Sequence, residues 1–199
     1  MAETLQIVTP LTKSDKSSAA ITGQTELSIL IRDCMAESRS AQQKMYDIYA
    51  PAAYGVIKRF LYNNDSMAQE ILNDSFLKVL TKLDQYNFQG AFEGWVRRIV
   101  VNTLTDHLRK SIKDVQNKEV QAEDAFVNSD SVEKISHKEL LQCIQELPDA
   151  QRTVFNLFVF ENYSHNEIGN ILNINENNSR WHLNDARKRL KEKIISLRK

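Results

Sequence analysis

The chain has 199 residues, and its 26 basic and 26 acidic side chains give a formal net charge of zero. No apolar stretch approaches the roughly 20 residues of a membrane span, and the N-terminus lacks the apolar core of a signal peptide, so we expect a cytoplasmic protein without direct membrane insertion. Few glycines and prolines, together with apolar residues at helical spacing, predict an all-α fold. Cys34 and Cys143 lack a partner spacing for a metal or redox pair and are predicted to be reduced core residues.

Residues 1–24 are polar and rich in Ser and Thr, which predicts a flexible N-terminal arm. A first helical domain is predicted over 25–112, and its first, second and fourth helices are expected at about 27–34, 41–61 and 93–112. Ser66 is the expected cap of the third helix. The second helix is predicted to bury a stripe made of Met45, Ile48, Tyr49, Ala52 and Val56.

An aromatic loop precedes the fourth predicted helix. It contains Phe88, Gly90, Phe92, Gly94 and Trp95. Aromatic rings beside fixed cations suit unstacked nucleic-acid bases, and glycines let the backbone fold tightly around such a base. The same composition fits a loop whose rings fill a core, and the loop by itself does not decide between the two interpretations.

Charge is unevenly distributed along the chain. The segment 97–113 has five Lys and Arg against one acid, and 180–199 has eight against two, whereas 114–149 has nine acids against three lysines. Two basic faces separated by an acidic stretch fit two DNA-facing modules and a connector. Helical periodicity is lost over 113–131, so we predict an acidic, flexible linker that joins two small helical domains.

The second predicted domain, 132–199, contains a helix-turn-helix pattern. Ser164 and Glu167 have the spacing of a capping box, in which each side chain serves a free backbone N–H at a helix start. Gly169 suits close helix packing, and Asn173 tolerates the left-handed conformation that ends a helix.

Asn175 is then expected to cap a longer basic helix over about 176–197. A helical wheel gives this helix an inward face of Ser179, Leu183, Ala186, Leu190 and Ile194. The opposite face, which a DNA major groove would meet, carries Asn177, Trp181, Asn184, Asp185 and Lys188, with Arg180 on the flank.

Taken together, the two modules resemble an RNA polymerase sigma factor of the extracytoplasmic-function (ECF) group, over about 26–190. The first domain matches the pattern acid-apolar-apolar-Gln-acid-x-Phe at 70–76, with Asn73 and Asp74 in place of Gln and Glu. The aromatic and basic elements match at Phe88, Gly90, Phe92, Trp95, Arg98, Ile99 and Asn102. The second domain matches at Leu147, Pro148, Arg152, Phe155, Ser164, Glu167, Ile168, Ala186, Arg187 and Leu190.

The resemblance implies a bacterial sigma factor without catalytic activity, which binds core RNA polymerase and directs promoter recognition, DNA melting and transcription initiation. Core binding, to the clamp helices of the largest subunit and to the flap, is assigned on the clamp side to Glu70, Asn73, Asp74 and Phe76. Members of the group are commonly held inactive by an anti-sigma factor, and the sequence leaves such a partner open.

The resemblance also assigns promoter DNA to two sets of residues. On the minus-ten side these are Phe88, Phe92, Arg97, Asn102, Asp106 and Arg109. Phe88 and Phe92 are expected to form a base pocket, while Trp95 anchors the helix that carries Asn102. On the minus-thirty-five side the residues are Asn177, Arg180, Trp181, Asn184 and Lys188.

Two other classes of protein compete with this interpretation. A stand-alone helix-turn-helix regulator would bind duplex operator DNA without polymerase, usually as a dimer. An enzyme needs a convergent catalytic set, and the four histidines lie in four separate segments without a Ser/His/Asp, Cys/His or metal-ligand spacing. We therefore expect no catalytic residue, cofactor or metal.

Overall fold

The structure, a computed structural model, describes residues 25–113 and 136–197, apart from the side chains of 110–113 and 137. These two ranges contain helices and turns without a strand, which confirms the all-α prediction. The predicted arm over 1–24 and nearly all of the predicted linker over 113–131 lie outside the described residues.

Eight α-helices occur in the described ranges. The N-terminal half consists of α1 (25–35), α2 (Arg39–Phe60), α3 (Asp65–Thr81), a 3-10 turn (Leu83–Gln85) and α4 (Phe92–Lys113). The C-terminal half consists of α5 (His137–Gln145), α6 (Asp149–Val159), α7 (His165–Leu172) and α8 (Glu176–Ser196). The observed ends lie within a few residues of the predicted ones, because cap residues and apolar spacing are local features of the sequence.

The start of α3 differs from the prediction that Ser66 caps it. The N-cap is Asn64, whose side-chain Oδ1 accepts a hydrogen bond from the backbone N–H of Met67 at 3.0 Å. Asp65 is the first helical residue and Ser66 already lies inside the helix. Asn and Ser are about equally good N-caps, and Asn64 caps the helix two residues before Ser66.

The buried face of α2 is also turned relative to the predicted stripe. Met45 and Val56 are buried as expected, whereas Ile48 is 50% exposed and Ala52 is exposed. The buried residues of α2 are Ala41, Met45, Ala50, Ala53, Val56, Ile57 and Phe60. This face is wider than a single stripe because α2 packs against α3 and α4 on one side and against α5 and α6 on the other.

One apolar core extends through both halves of the molecule. Buried residues of α2, α3 and α4 belong to the same cluster as Val154 and Leu157 of α6 and Leu172 of α7. Cys34 and Cys143 are both buried and unpaired, as predicted. None of the helices in the described ranges is long and apolar enough to cross a membrane.

Candidate nucleic-acid interface

The loop before α4 presents one strained aromatic residue to solvent. Phe88 has a φ of 59° and its side chain is 41% exposed. The left-handed region costs a bulky residue about 1–3 kcal/mol, and such strain is concentrated at functional sites. Gly90, with φ of 87°, closes the loop, and its carbonyl accepts a hydrogen bond from the Tyr86 hydroxyl at 2.8 Å. The loop therefore holds the Phe88 ring outward on a fixed backbone.

Phe92 occupies a different place from the one expected of a base platform. Its side chain is only 3% exposed, and its ring centroid lies 5.1 Å from Tyr49, 4.9 Å from Tyr86 and 5.4 Å from Trp95. A ring enclosed by three aromatic side chains cannot stack on a base. Phe92 is thus a core residue at the start of α4, and of the two rings expected to form a base pocket Phe88 is the exposed one.

The polar face of α4 carries the other residues assigned to the minus-ten side. Asn102 is exposed, and Asp106 pairs with Arg109 at 3.2 Å. Arg97 and Arg109 both donate hydrogen bonds to the C-terminal half, to the Glu161 carboxylate and to the Ile171 carbonyl. A cavity of about 760 Å³ separates this face from α7, and Asn102 lines it. The structure therefore brings these residues together on one face, which is turned toward the C-terminal half.

The helix-turn-helix is built as the sequence predicts. Ser164 and Glu167 form both hydrogen bonds of the capping box at the start of α7, and Asn173 ends this helix in the left-handed conformation, with φ 56° and ψ 47°. Asn175 caps α8 by accepting a hydrogen bond from the backbone N–H of Asn178. Local side-chain chemistry thus fixes the turn between α7 and α8.

The predicted DNA-facing residues of α8 lie along one side of the helix, with graded exposure. Asn177, Arg180 and Lys188 are exposed, whereas Trp181 and Asn184 are half-buried. Asp185 belongs to the flank of α8, because its carboxylate accepts hydrogen bonds from Gln151 of α6 and from Arg189, both at 2.8 Å. The helical wheel had placed Asp185 on the DNA side. The wheel could not show that α6 packs beside it.

The residues assigned to core polymerase binding also differ in exposure. Glu70 and Asn73 are exposed on α3, and Asp74 lies 3.1 Å from the His107 ring. Phe76 is buried against Tyr46, so it supports the surface from within, contrary to the expected direct contact. Sequence reasoning missed Leu77, which is 64% exposed. Its spacing from Glu70 and Asn73 puts it on the same face of α3, and that spacing was the available signal.

Two histidines of the C-terminal half are largely shielded from water. His182 is buried and its Nδ1 has no hydrogen-bond partner among the described residues. Burial lowers the pKa of His182, although nearby Asp185 acts in the opposite direction. Burial, followed by the nearby charge of Arg180, also lowers the pKa of His165, which lies against Phe158 and contacts the Ser179 hydroxyl at 2.9 Å. Burial therefore favours the neutral form of both side chains in the folded protein.

The buried histidine predicts a stability that depends on pH. A histidine with a pKa below about 6.5 in the folded state binds more protons when unfolded, so stability is fully present above pH 6.5 and decreases as the pH falls. We expect the midpoint of thermal unfolding, followed by circular dichroism, to drop between pH 7.5 and 5.5. The unfolding midpoint of His182→Phe should drop less over this interval. His165 should account for part of the remaining pH dependence. An unchanged pH dependence in His182→Phe would contradict the assignment.

Comparison with known proteins matches each half of the chain to a described region of one protein family. The sequence-family description "Sigma-70 region 2" matches residues 45–113, and "Sigma-70, region 4" matches 137–190, which together make up more than half of the chain. The RNA polymerase sigma-H factor of Pseudomonas aeruginosa is 28% identical over 137 residues, covering 62% of this chain and 70% of that protein. The ECF RNA polymerase sigma factor SigW of Bacillus subtilis is 28% identical over 169 residues, covering 76% and 87%.

Among solved structures, that of the sigma factor RpoE in complex with the anti-sigma factor NepR from Bartonella quintana matches with a TM-score of 0.46. The sequence identity is 18%, and the match covers 75% of this chain and 94% of that one.

The fold and the site define an all-helical DNA-binding protein with a C-terminal helix-turn-helix. The chain belongs to the sigma-70 family of RNA polymerase sigma factors, in the ECF group, and directs promoter recognition in transcription initiation. Members of this family bind core RNA polymerase and promoter DNA. The stand-alone regulator is not favoured, because the N-terminal half matches a sigma-factor region.

Proposed function

We propose that the two halves of this sigma factor have separate roles. A domain over 25–112 binds core polymerase and opens the minus-ten element, and a domain over 132–199 reads the minus-thirty-five element, with 113–131 as the linker. The observation that carries this division is the occurrence of sigma-70 regions 2 and 4, in that order, on either side of the linker. The chain acts in the cytoplasm, where it needs no catalytic activity or cofactor of its own.

On the minus-ten side, Phe88 is the base platform and Asn102 the base-edge reader. Extruding a base from the duplex costs a few kcal/mol, and stacking on an aromatic ring returns about 1–3 kcal/mol. The outward Phe88 ring, held in a strained backbone, supports this role. The Asn102 amide offers both a donor and an acceptor from the exposed face of α4. Arg97 and Arg109 would add phosphate contacts that weaken with salt.

Phe88→Ala and Asn102→Ala are expected to impair promoter opening and to leave core binding intact. Loss of one stacked ring should reduce the open-complex fraction roughly tenfold, within the range for base–aromatic stacking. Permanganate reactivity of unpaired thymines measures opening on a promoter mapped with the wild-type chain. Phe88→Tyr is the matched control, since it keeps the ring. Normal opening in Phe88→Ala, or an equal loss of core binding in either variant, would contradict the assignment.

On the minus-thirty-five side, α8 enters the major groove in our proposal. Its reading set is Asn177, Arg180, Trp181, Asn184 and Lys188. The exposed cations suit phosphates, while the asparagine amides suit base edges. Arg180 pairs with Glu176 at 2.6 Å, an exposed pair that DNA can replace at little cost.

Core polymerase docks on the exposed face of α3 in our proposal. Glu70, Asn73 and Asp74 supply its polar part, and Leu77 takes the apolar role that the sequence assigned to Phe76. The clamp helices of the largest subunit are the proposed partner of this face, with the flap as a second contact for the C-terminal domain. We include an anti-sigma factor among the partners, as is common in the group.

Glu70→Arg is expected to weaken binding to core polymerase about tenfold or more, because it reverses a charge at the proposed interface. The fold should be unaffected, since the side chain is exposed. Titration of labelled chain with core polymerase gives the affinity. Glu26→Arg provides the same charge reversal on the exposed surface of α1. Equal affinity in Glu70→Arg and Glu26→Arg would remove α3 from the interface.

A further inference from the structure

The C-terminal end of α2 is capped by side chains from the other half of the molecule. The carbonyls of the last three residues, Lys58, Arg59 and Phe60, accept hydrogen bonds from Gln145 at 3.0 Å, Asn156 at 3.1 Å and Arg152 at 2.7 Å. The last carbonyls of a helix have no partner within the helix. Three successive matches from α5 and α6 show that the two halves fit together through specific polar contacts.

A second set of contacts surrounds Glu161, in the turn between α6 and α7. Its side chain is 3% exposed and lies between two arginines of the N-terminal half. Arg59 Nη2 donates to Oε1 at 2.7 Å, while Arg97 donates to both oxygens, through Nε at 2.6 Å and Nη2 at 2.9 Å. The buried Arg59 Nε has no hydrogen-bond acceptor in the described part of the chain. Two guanidinium groups thus enclose a single carboxylate.

The same arrangement also ties the face of α4 assigned to the minus-ten element to α7. Arg109 donates to the Ile171 carbonyl from Nε at 3.0 Å and from Nη2 at 2.8 Å, at the C-terminal end of α7. Asn102 faces α7 across the cavity between the two halves. Arg97 and Arg109 are therefore engaged in contacts between the halves that DNA phosphates would have to replace.

We propose that this closed arrangement is autoinhibitory, and that Glu161 occupies an anion site between Arg59 and Arg97 which takes a backbone phosphate of promoter DNA in the open form. This inference rests on the proposed function. A backbone phosphate presents two anionic oxygens to guanidinium groups in the same forked geometry as a carboxylate. Without Glu161 the two neighbouring arginines would lose the carboxylate that they share. Arg59 becomes a DNA contact that the sequence did not indicate.

The first test measures the separation of the two halves in the full chain. Gln43 on α2 and Lys191 on α8 are exposed and can be replaced with cysteine for a donor and acceptor dye, because both native cysteines are buried. Energy transfer should be high in the wild-type chain and should fall in Glu161→Gln. Glu26→Gln removes one negative charge from an exposed site and should retain high transfer. High transfer in Glu161→Gln as well would overturn the closed-state role of Glu161.

The second test measures binding of a fluorescein-labelled, mixed-sequence 12-nucleotide single strand to the same variants. Glu161→Gln should bind at least fivefold more tightly than the wild-type chain, and Glu26→Gln should match it. Adding Arg59→Ala to Glu161→Gln should cancel most of this gain. The dependence on salt should also become shallower by about 0.7 in the log–log slope, the value for one phosphate contact on single-stranded DNA.

Two outcomes would overturn the anion site: no gain in affinity in Glu161→Gln, or a gain that Arg59→Ala does not reduce. Neither outcome bears on the sigma-factor function, which is scored separately by whether the wild-type chain directs core polymerase to promoters. A wild-type chain that directs initiation normally while Glu161→Gln matches it in DNA affinity would remove this inference alone.

Discussion

Arg152→Ala is expected to lower the free energy of unfolding by about 3 kcal/mol, one of the two largest effects among the variants considered. Arg152 is buried, and its guanidinium donates to three backbone carbonyls: Phe60 at 2.7 Å, Gln145 at 2.7 Å and Leu147 at 2.6 Å. It also pairs with the Asp149 carboxylate. Truncation leaves these carbonyls shielded from water without a donor, at the ends of α2 and α5.

Urea unfolding followed by circular dichroism measures the effect, with the slope of the transition checked for a change in mechanism. Arg152→Lys is the matched variant, because it keeps the charge but loses the planar fork that reaches several acceptors at once. We expect its stability to lie between those of the wild type and Arg152→Ala. Wild-type stability in Arg152→Ala would show that the buried carbonyls find other donors.

Gly169→Ala is expected to destabilise the helix-turn-helix by about 2 kcal/mol, and Gly169→Val by more, since overpacking commonly costs 1–3 kcal/mol. A Cβ atom at this position would lie 2.8 Å from the Ile174 carbonyl oxygen, in the turn between α7 and α8. The turn is tied to the same residue, because the Ile174 N–H donates to the Gly169 carbonyl at 3.0 Å. The atoms that the added Cβ would meet belong to the backbone, which cannot rotate away as a flexible side chain can.

Gly55→Ala is the matched control for this change. Gly55 lies inside α2, and a Cβ atom there would meet nothing within 4 Å. Alanine favours a helix by about 1 kcal/mol over glycine, so Gly55→Ala should stabilise the protein while Gly169→Ala destabilises it. Thermal unfolding of the two variants shows directly whether each substitution stabilises or destabilises the protein. A stabilising Gly169→Ala would mean that the turn shifts to admit the added methyl group.

The helix-turn-helix was predictable because its determinants lie next to each other in the chain. Ser164 with Glu167, Asn173 and Asn175 each act on backbone groups within a few residues, so spacing alone defines the structure. The same holds for the all-α class and for most helix ends. Where two good cap residues lie close together, as Asn64 and Ser66 do, local preference does not choose between them.

The burial of particular aromatic residues was not predictable in the same way. Phe88 and Phe92 look alike in the sequence and both rings contact Tyr86, yet Phe92 is also enclosed by Tyr49 of α2 and by Trp95. Phe76 is likewise covered by Tyr46, which lies 30 residues earlier in the chain. The fit between the two halves has no sequence signature either, because Glu161 meets Arg59 and Arg97 only after both halves have folded. Such tertiary contacts decide which side chains are buried, and the local sequence pattern does not contain them.

This chain gives core RNA polymerase its promoter specificity. The most direct measurement maps the 5′ ends of transcripts made by core polymerase loaded with the purified chain on a library of genomic DNA fragments. We predict discrete start sites that share two sequence elements at a constant spacing, one near minus ten and one near minus thirty-five. Failure of the chain to bind core polymerase, or starts identical to those of core polymerase alone, would contradict the account.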